Sequence, residues 1–248
     1  MSFPAGYDRL ILTETDSTNA EALRRADTLA GPTWIMAHRQ TAARGRRGRA
    51  WAGPDGNFAA TLFLRPEEPP ETVALRSFVA ALALHDTCVT LTGRTTPFAL
   101  KWPNDVLLNG GKLAGILLES AGAGGRVAAL AIGVGVNLRE APDSRALDAH
   151  ALRPVALLPE TGAEVSQEEF LDHLAQAYAA REASFRTHGF APIREAWLAR
   201  AARIGEAITA RTPRAETQGI FETVDATGNL VLKTPDGRVS IAAADVFF

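Results

Sequence analysis

Four arginines within six residues set the hardest constraint on this chain. Arg44, Arg46, Arg47 and Arg49 lie in the stretch QTAARGRRGRAW, residues 40–51, with Gly45 and Gly48 between them. Such a cluster cannot enter a core without partners, because an unpaired buried charge is prohibitive. It is also a poor helix, since both glycines weaken one. What remains is a loop of mutually repelling charges, mobile until an anion arrives. Arginine forks match phosphate and carboxylate, and glycines let backbone N–H groups come close to a ligand. The segment reads as a loop that folds over a polyphosphate. Standing alone, it would read better as a solvated basic surface loop, so the rest of the chain must decide.

The chain as a whole is not basic. It carries 26 Lys and Arg against 28 Asp and Glu, a net charge of −2. That excludes a general polyanion binder and makes the loop a local exception. With 248 residues, 46% hydrophobic and 22% charged, the chain is expected to be globular, one large domain plus a small one. Cys88 is the single cysteine. This rules out an internal disulfide and a multi-cysteine metal site, and fits a reducing compartment. The opening MSFPAGYDRL lacks the basic and apolar regions of a secretory signal. No apolar run approaches the ~20 residues of a membrane span. A soluble cytoplasmic protein with no membrane contact is expected.

Residues 8–13 read as a strand. Asp16, Ser17, Thr18 and Asn19 then offer good helix caps. Ala22, Leu23, Ala26 and Leu29 can line one face of the helix, and Gly31 stops it. Spacing alone favours simple capping as the role of residues 17–19. A strand at 33–39 delivers the chain into the arginine loop, GPDGN (53–57) turns it, and a strand follows at 58–64. The AxGxxG spacing at 43–48 imitates a dinucleotide fingerprint, but a Rossmann loop opens a helix. Here a turn and a strand follow, and four arginines would crowd a pyrophosphate, so that reading is rejected. Residues 71–92 are apolar around most of a helix and predict a central packed one. His85 and Cys88 near its end read as packing or surface residues, since neither sits in a nucleophile context.

The second chemical stretch is FALKWPNDVLLNGGKLAGILLES, residues 98–120. Pro103 breaks a strand, and Asn104 and Asp105 follow at the break. Asn109-Gly110-Gly111 is a tight-turn signal, so 105–108 and 113–119 predict a hairpin. Lys101, Asp105 and Lys112 can meet across this unit. Gly115 sits inside a strand, where glycine permits close approach. In the strand at 126–136, Gly133 and Gly135 are two apart and share a face. Bare backbone on one face suggests a slot for a flat ligand more strongly than a tight packing contact. Residues 139–165 look irregular, with three prolines. Ser166 opens a helix to about 186 with a capping-box pattern, and 190–200 form a further helix around Trp197. After Arg203, short β runs separated by turn pairs predict a small β-barrel of about 45 residues.

Together these residues resemble the biotin–protein ligases, also called biotin–[acetyl-CoA-carboxylase] ligases. The matching pieces are DSTN (16–19), the 40–51 loop, KWPNDV (101–106), GGKLAGILLE (110–119) and IGVGVNL (132–138), in order and in register. The resemblance is strong over residues 1–200 and holds only in kind over 201–248. It implies an α+β fold, with a mixed central sheet and helices packed on one side as the catalytic domain. A C-terminal SH3-like β-barrel would follow.

It further implies an enzyme that joins biotin and MgATP into biotinyl-5′-AMP and then transfers biotin to one lysine of a biotin carboxyl carrier domain. Ser17, Thr18 and Gln40 would bond the ureido ring, Asn19 would also bind biotin, and Arg44 with its loop neighbours Ala43 and Gly45 would order over the ligand. Arg46 and Lys112 would hold the carboxylate and then the acyl phosphate. Gly115, Gly133 and Gly135 would line the biotin slot. Arg46, Arg47, Arg49, Trp51, Lys101, Asn104 and Asn137 would contact ATP. Asp105 would help place Mg²⁺ or activate the acceptor amine. Ala43 departs from the glycine common at that position, and alanine limits positive φ.

A lipoyl or octanoyl transferase of the same fold is the nearest rival, set apart by the arginine loop. A DNA-binding repressor is not expected, because the 15 residues before Asp16 cannot hold two typical helices. An RNA-binding module would leave KWPND and the glycine pairs without a role. Monomer and homodimer both remain open.

Overall fold

The computed structural model describes residues 2–51, 53–143 and 152–248. Strands β1 (Asp8–Thr15) and β2 (Thr33–Gln40) pair in parallel and are joined through helix α1 (Thr18–Arg24). The other strands are β3 (Phe58–Leu64), β4 (Phe98–Lys101), β5 (Asp105–Leu108), β6 (Gly111–Ala121) and β7 (Ala129–Val136). They pair antiparallel, giving a seven-stranded mixed sheet in the order β1-β2-β3-β7-β6-β5-β4. The β5–β6 hairpin turns at Asn109 and Gly110, both at positive φ (50° and 75°), as a tight turn of that type requires.

Strand alternation gives the sheet two unlike faces. Trp34, Met36, Leu62, Leu130, Ile132 and Val134 point to the large core. Helices α2 (Pro70–Ala74), α3 (Arg76–Thr92), α5 (Gln167–His188) and α6 (Phe190–Leu198) contribute to that core. Ile35, Phe63, Ala129 and Ala131 point the other way and pack with Ala22 of α1 in a smaller cluster. The longer helices thus share one side, and the short α1 lies on the opposite face.

Several boundaries differ from the sequence reading. The first helix ends at Arg25, not near Gly31, because the N–H and hydroxyl of Thr28 both bond the Arg25 carbonyl and turn the chain. Leu23, Ala26 and Leu29 still pack beside Ala22. The 71–92 helix is two pieces that meet at Leu75. That stretch, Pro70–Thr92, is in fact long and apolar enough to cross a membrane, with mean hydropathy 1.3 over its most apolar window. Since 72% of that window is buried inside the protein, it acts as the central core helix that the apolar pattern predicts. His85 and Cys88 are both buried in this packing. The irregular 139–165 stretch contains helix α4 (Leu157–Thr161), and its residues 144–151 lie outside the described residues. Ser166 caps α5 by accepting from the Glu169 N–H at 3.1 Å.

The C-terminal strands are β8 (Ala207–Arg211), β9 (Glu216–Val224), β10 (Leu230–Thr234), β11 (Gly237–Ile241) and β12 (Asp245–Phe247). They form one five-stranded antiparallel sheet, in the order β11-β10-β9-β8-β12. The last strand, β12, has no counterpart in the sequence reading. This sheet joins the main core through Phe221, Val224 and Leu230, and Trp102 Nε1 donates to the Gly228 carbonyl at 3.1 Å.

A buried ion pair ties α3 to α5. Arg76 donates to Glu182 at 3.1 and 2.8 Å and to Glu68 at 2.7 Å, and the Tyr178 hydroxyl donates to Glu182 at 3.1 Å. Removing one partner leaves the other charge buried and uncompensated. Glu182→Leu should therefore lower stability by about 3 kcal/mol in urea unfolding. A loss below about 1 kcal/mol would mean that Glu68 alone satisfies Arg76.

Candidate active site

The site lies on the α1 face of the sheet, where side chains are small. Register places Ala59 beside Gly135 and Gly115, and Thr61 beside Gly133 and Leu117, across β3, β7 and β6. Beyond α1 this face opens into a cavity of about 960 Å³. Every candidate site residue from the sequence lines it except Arg47, which bonds Asp245 instead.

One end of the cavity is lined by the neutral polar side chains of Ser17, Thr18, Asn19 and Gln40. Ser17 caps α1, its hydroxyl accepting from the Ala20 N–H at 3.4 Å. The Thr18 N–H and hydroxyl both reach Gln40 Oε1, at 2.8 and 3.1 Å. Asn19 is held on several sides. Its Nδ2 donates to the Leu117 carbonyl at 3.2 Å and to Glu119 at 2.8 Å, and its Oδ1 accepts from the Thr61 hydroxyl at 2.7 Å. Capping, the favoured reading of residues 17–19, is real, and the same residues also line the pocket.

The other end is charged. Lys112 Nζ lies 2.8 Å and Lys101 Nζ 3.9 Å from the Asp105 carboxylate, so the trio meets as its spacing predicts. Burial pulls the Lys101 ammonium below its usual range, against the opposing attraction of Asp105. Asp105 Oδ1 is buried without an aligned hydrogen bond, although Lys112 is close, so it keeps accepting capacity. Asn137 Oδ1 is also buried and unpartnered, while its Nδ2 donates to the Val155 carbonyl at 3.0 Å. Asn104 spends its amide on the Ile116 carbonyl, at 2.6 Å.

The arginine loop covers the cavity as a small hairpin. The Trp51 N–H bonds the Ala43 carbonyl at 3.0 Å, and the Gly45 N–H bonds the Arg49 carbonyl at 2.8 Å. Residues Arg46–Gly48 make a short 3₁₀ turn, with positive φ at Arg47 (57°) and Gly48 (71°). Ala43 is not among the positive-φ residues, so alanine there carries no backbone strain. Arg44 faces Glu119 at 3.4 Å. Arg47 and Arg49 donate to Asp245 Oδ2 at 2.7 and 2.6 Å. Arg46 lies 3.8 Å from the same carboxylate and gives two 3.2 Å bonds to the Ala244 carbonyl. Burial lowers the pKa of Arg46, with Asp245 and Asp105 opposing.

The glycine strip is not a bare slot in this structure. A Cβ on Gly133 would stand 2.4 Å from Asn19 Oδ1. A Cβ on Gly135 would meet Trp51 Cε2 and Nε1 at 2.9 Å, and one on Gly115 would meet Trp51 Cζ3 at 3.1 Å. The tight-packing reading, ranked second from sequence, is thus realised here by a flat indole and a carboxamide. Lys112 Nζ sits 5.5 Å from the centre of the same indole. Thr61, Glu119 and Asp245 were not foreseen. Thr61 had a usable signal, because a polar residue in FAATLFL breaks an apolar strand on the face opposite Leu62. Asp245 had none, since it lies some 200 residues from the loop.

Residues 10–137 match the model of the biotin/lipoate A/B protein ligase family, and residues 204–248 that of the biotin protein ligase C-terminal domain. The chain is 57% identical to a biotin–[acetyl-CoA-carboxylase] ligase of Paracoccus denitrificans over 96% of its length and 99% of the relative's. It is 33% identical to the bifunctional ligase/repressor BirA of Bacillus subtilis over 86% of its length and 65% of the relative's. In fold it is similar to a biotin protein ligase of Aquifex aeolicus solved with biotin and ATP. The TM-score is 0.83 at 24% identity, covering 96% of this chain and 98% of that one.

The two glycine contacts should respond differently to a methyl group. Asn19 is clamped, so Gly133→Ala should cost about 2 kcal/mol by overpacking. The Gly115 contact is looser, 3.1 Å to Trp51 Cζ3 against 2.4 Å at Gly133, so Gly115→Ala should cost less than about 1 kcal/mol. Urea unfolding of both variants checks the order, and the reverse order would mean that the loop is the stiffer partner.

Proposed function

The chain belongs to the biotin/lipoate A/B protein ligase family, and on that footing we propose that it activates biotin with ATP and passes it to a protein lysine. It is a biotin–[biotin carboxyl carrier protein] ligase: biotin, ATP and the acceptor lysine give biotinyl-protein, AMP and pyrophosphate. The observation that carries this is the cavity's two unlike ends. A fixed polar set, Ser17, Thr18 and Gln40, faces a cationic set, Arg46, Lys101 and Lys112, across a small-residue floor. A ureido ring suits the first end, and a carboxylate meeting a phosphate suits the second.

In the first step the biotin carboxylate attacks the α-phosphorus and pyrophosphate leaves. Two anions must approach each other, and preorganised cations offset that repulsion without reorganising during the reaction. Lys112 and Arg46 take this role, with Arg49 and Lys101 on the phosphates. The spare carbonyl of Asn137 accepts from an amine of the nucleotide in this reading, which its lack of a partner supports. In the second step the lysine amine attacks the acyl carbonyl, and AMP leaves. Asp105 keeps accepting capacity and takes the proton of the incoming amine.

Magnesium would enter on the nucleotide. No group of three His, Cys, Asp or Glu that could hold a metal occurs among the described residues, and Mg²⁺ commonly binds through one or two carboxylates plus substrate phosphates. Asp105 lines that end of the cavity beside Lys101 and Lys112, and the ion would add charge neutralisation to the phosphates. The acceptor is the carrier domain of a biotin-dependent carboxylase, met in the cytoplasm.

Purified protein given biotin and ATP, with no acceptor, should release pyrophosphate. Octanoate and lipoate should release none, and release with either in place of biotin would overturn the substrate assignment in favour of the lipoyl or octanoyl reading. Lys112→Ala should slow adenylate formation at least tenfold, about 1.4 kcal/mol, with the fold intact by circular dichroism. Lys112→Arg should also be impaired, because a planar fork does not replace a compact charge. Full activity of Lys112→Ala would remove Lys112 from the reaction.

A further inference from the structure

A carboxylate from the C-terminal sheet holds the arginine loop, and the reaction described above gives it no role. Asp245 stands on β12, which pairs antiparallel with β8 through Asp245 opposite Arg211. Its side chain is only 14% exposed. One of its oxygens accepts from both Arg47 and Arg49, the other lies 3.8 Å from Arg46, and the preceding carbonyl, Ala244, takes both Nη atoms of Arg46. Three of the four loop arginines therefore converge on two adjacent residues of a remote strand. Isolated surface ion pairs contribute little, but a mostly buried carboxylate shared by several guanidiniums is a network with fixed geometry.

We propose that Asp245 is a positioning residue of the adenylation site. From the C-terminal sheet it fixes residues 44–51 over the cavity, so that the loop keeps water from the acyl-adenylate until an acceptor lysine arrives. Biotinyl-AMP is a mixed anhydride, and closure of a loop excludes the water that would hydrolyse it. Without Asp245 the three arginines repel each other with no shared partner, and Trp51 loses the anchor that holds it on Gly115 and Gly135. The C-terminal sheet thereby acts on the chemistry through the loop, without itself touching the reacting atoms. The proposal rests on the adenylation reading above, and its test includes one measurement that does not.

The full-length chain would be compared with Asp245→Asn, which keeps the shape and loses the charge, and with Asp245→Glu, which keeps the charge. The first measurement is trypsin cleavage after Arg44 and Arg49 in protein without ligand. The second is the half-life of adenylate on protein loaded with biotin and ATP and then freed of both. Asp245→Asn should be cleaved in the loop and should lose adenylate roughly tenfold faster than the parent, with an unchanged thermal midpoint. Serum albumin added to the mixture should then acquire biotin. Asp245→Glu should recover most of the retention. Parental cleavage and half-life in Asp245→Asn would overturn the proposal, as would a leak in Asp245→Glu equal to that in Asp245→Asn. If Asp245→Asn fails to fold, Arg47→Gln, altered on the exposed side of the same contact, decides in the same way. Where Asp245→Asn does fold, the leak of Arg47→Gln should not add to it in the double variant, and additive leaks would overturn the shared contact. If the parent forms no adenylate, the adenylation reading falls, while the cleavage comparison still tests whether Asp245 holds the loop.

Discussion

Repulsion among Arg44, Arg46, Arg47 and Arg49 has to be offset before their loop can lie against the sheet. The fold offsets it from two directions. Glu119 on β6 meets Arg44, and Asp245 on β12 meets Arg47 and Arg49, with Arg46 beside it. In Asp245, burial would raise the carboxyl, but the hydrogen bond from Arg49 and the charges of Arg49, Arg47 and Arg46 outweigh it. They hold the carboxyl below its usual range, so the clamp stays ionised near neutrality. These partners hold the loop against the sheet.

The same sheet that supports this loop solves two packing problems at once. One face carries large apolar side chains against the long helices, and the other carries glycine, alanine and threonine under the site. Period-2 alternation makes that division possible within single strands: β7 sends Ile132 and Val134 into the core, and Gly133 and Gly135 toward the cavity. Interiors are close-packed, so missing side chains on the site face are matched by something else. Here that is Trp51 from the loop and Asn19 from the start of α1. Both partners belong to segments that also line the cavity. Ligand access and local packing are therefore settled by the same contacts.

Charge placement inside the site follows a similar economy. Asp105 faces both Lys112 and Lys101, yet one of its oxygens keeps accepting capacity. A second acceptor, Asn137 Oδ1, is buried without a partner. Leaving Asn137 Oδ1 unpaired costs free energy. The buried Arg76–Glu182 pair, away from the site, is joined by Tyr178 and Glu68, although Arg76 Nη1 is itself buried without a partner.

Much of this was legible in the order of residues. Strand limits at 58–64, the hairpin around Asn109-Gly110 and the capping Ser166 came through closely, because alternation, turn chemistry and capping are set by near neighbours. The meeting of Lys101, Asp105 and Lys112 followed from that hairpin and the strand break at Pro103 before it. The motifs also carried the family resemblance, which the 57% identical relative supports. Other features depended on segments far apart in sequence. The early end of α1, the strand β12 and the filling of the glycine strip by Trp51 and Asn19 could not be read locally. Neither could the convergence of loop arginines on Asp245, since opposite charges some 200 residues apart attract wherever the backbone brings them, and no local pattern records where that is. The sequence by itself determined most of the strands and long helices and which residue types the site would use. Only the tertiary structure decided which carboxylate holds the loop and what lies on the glycines, because those choices depend on the packing of one sheet against another.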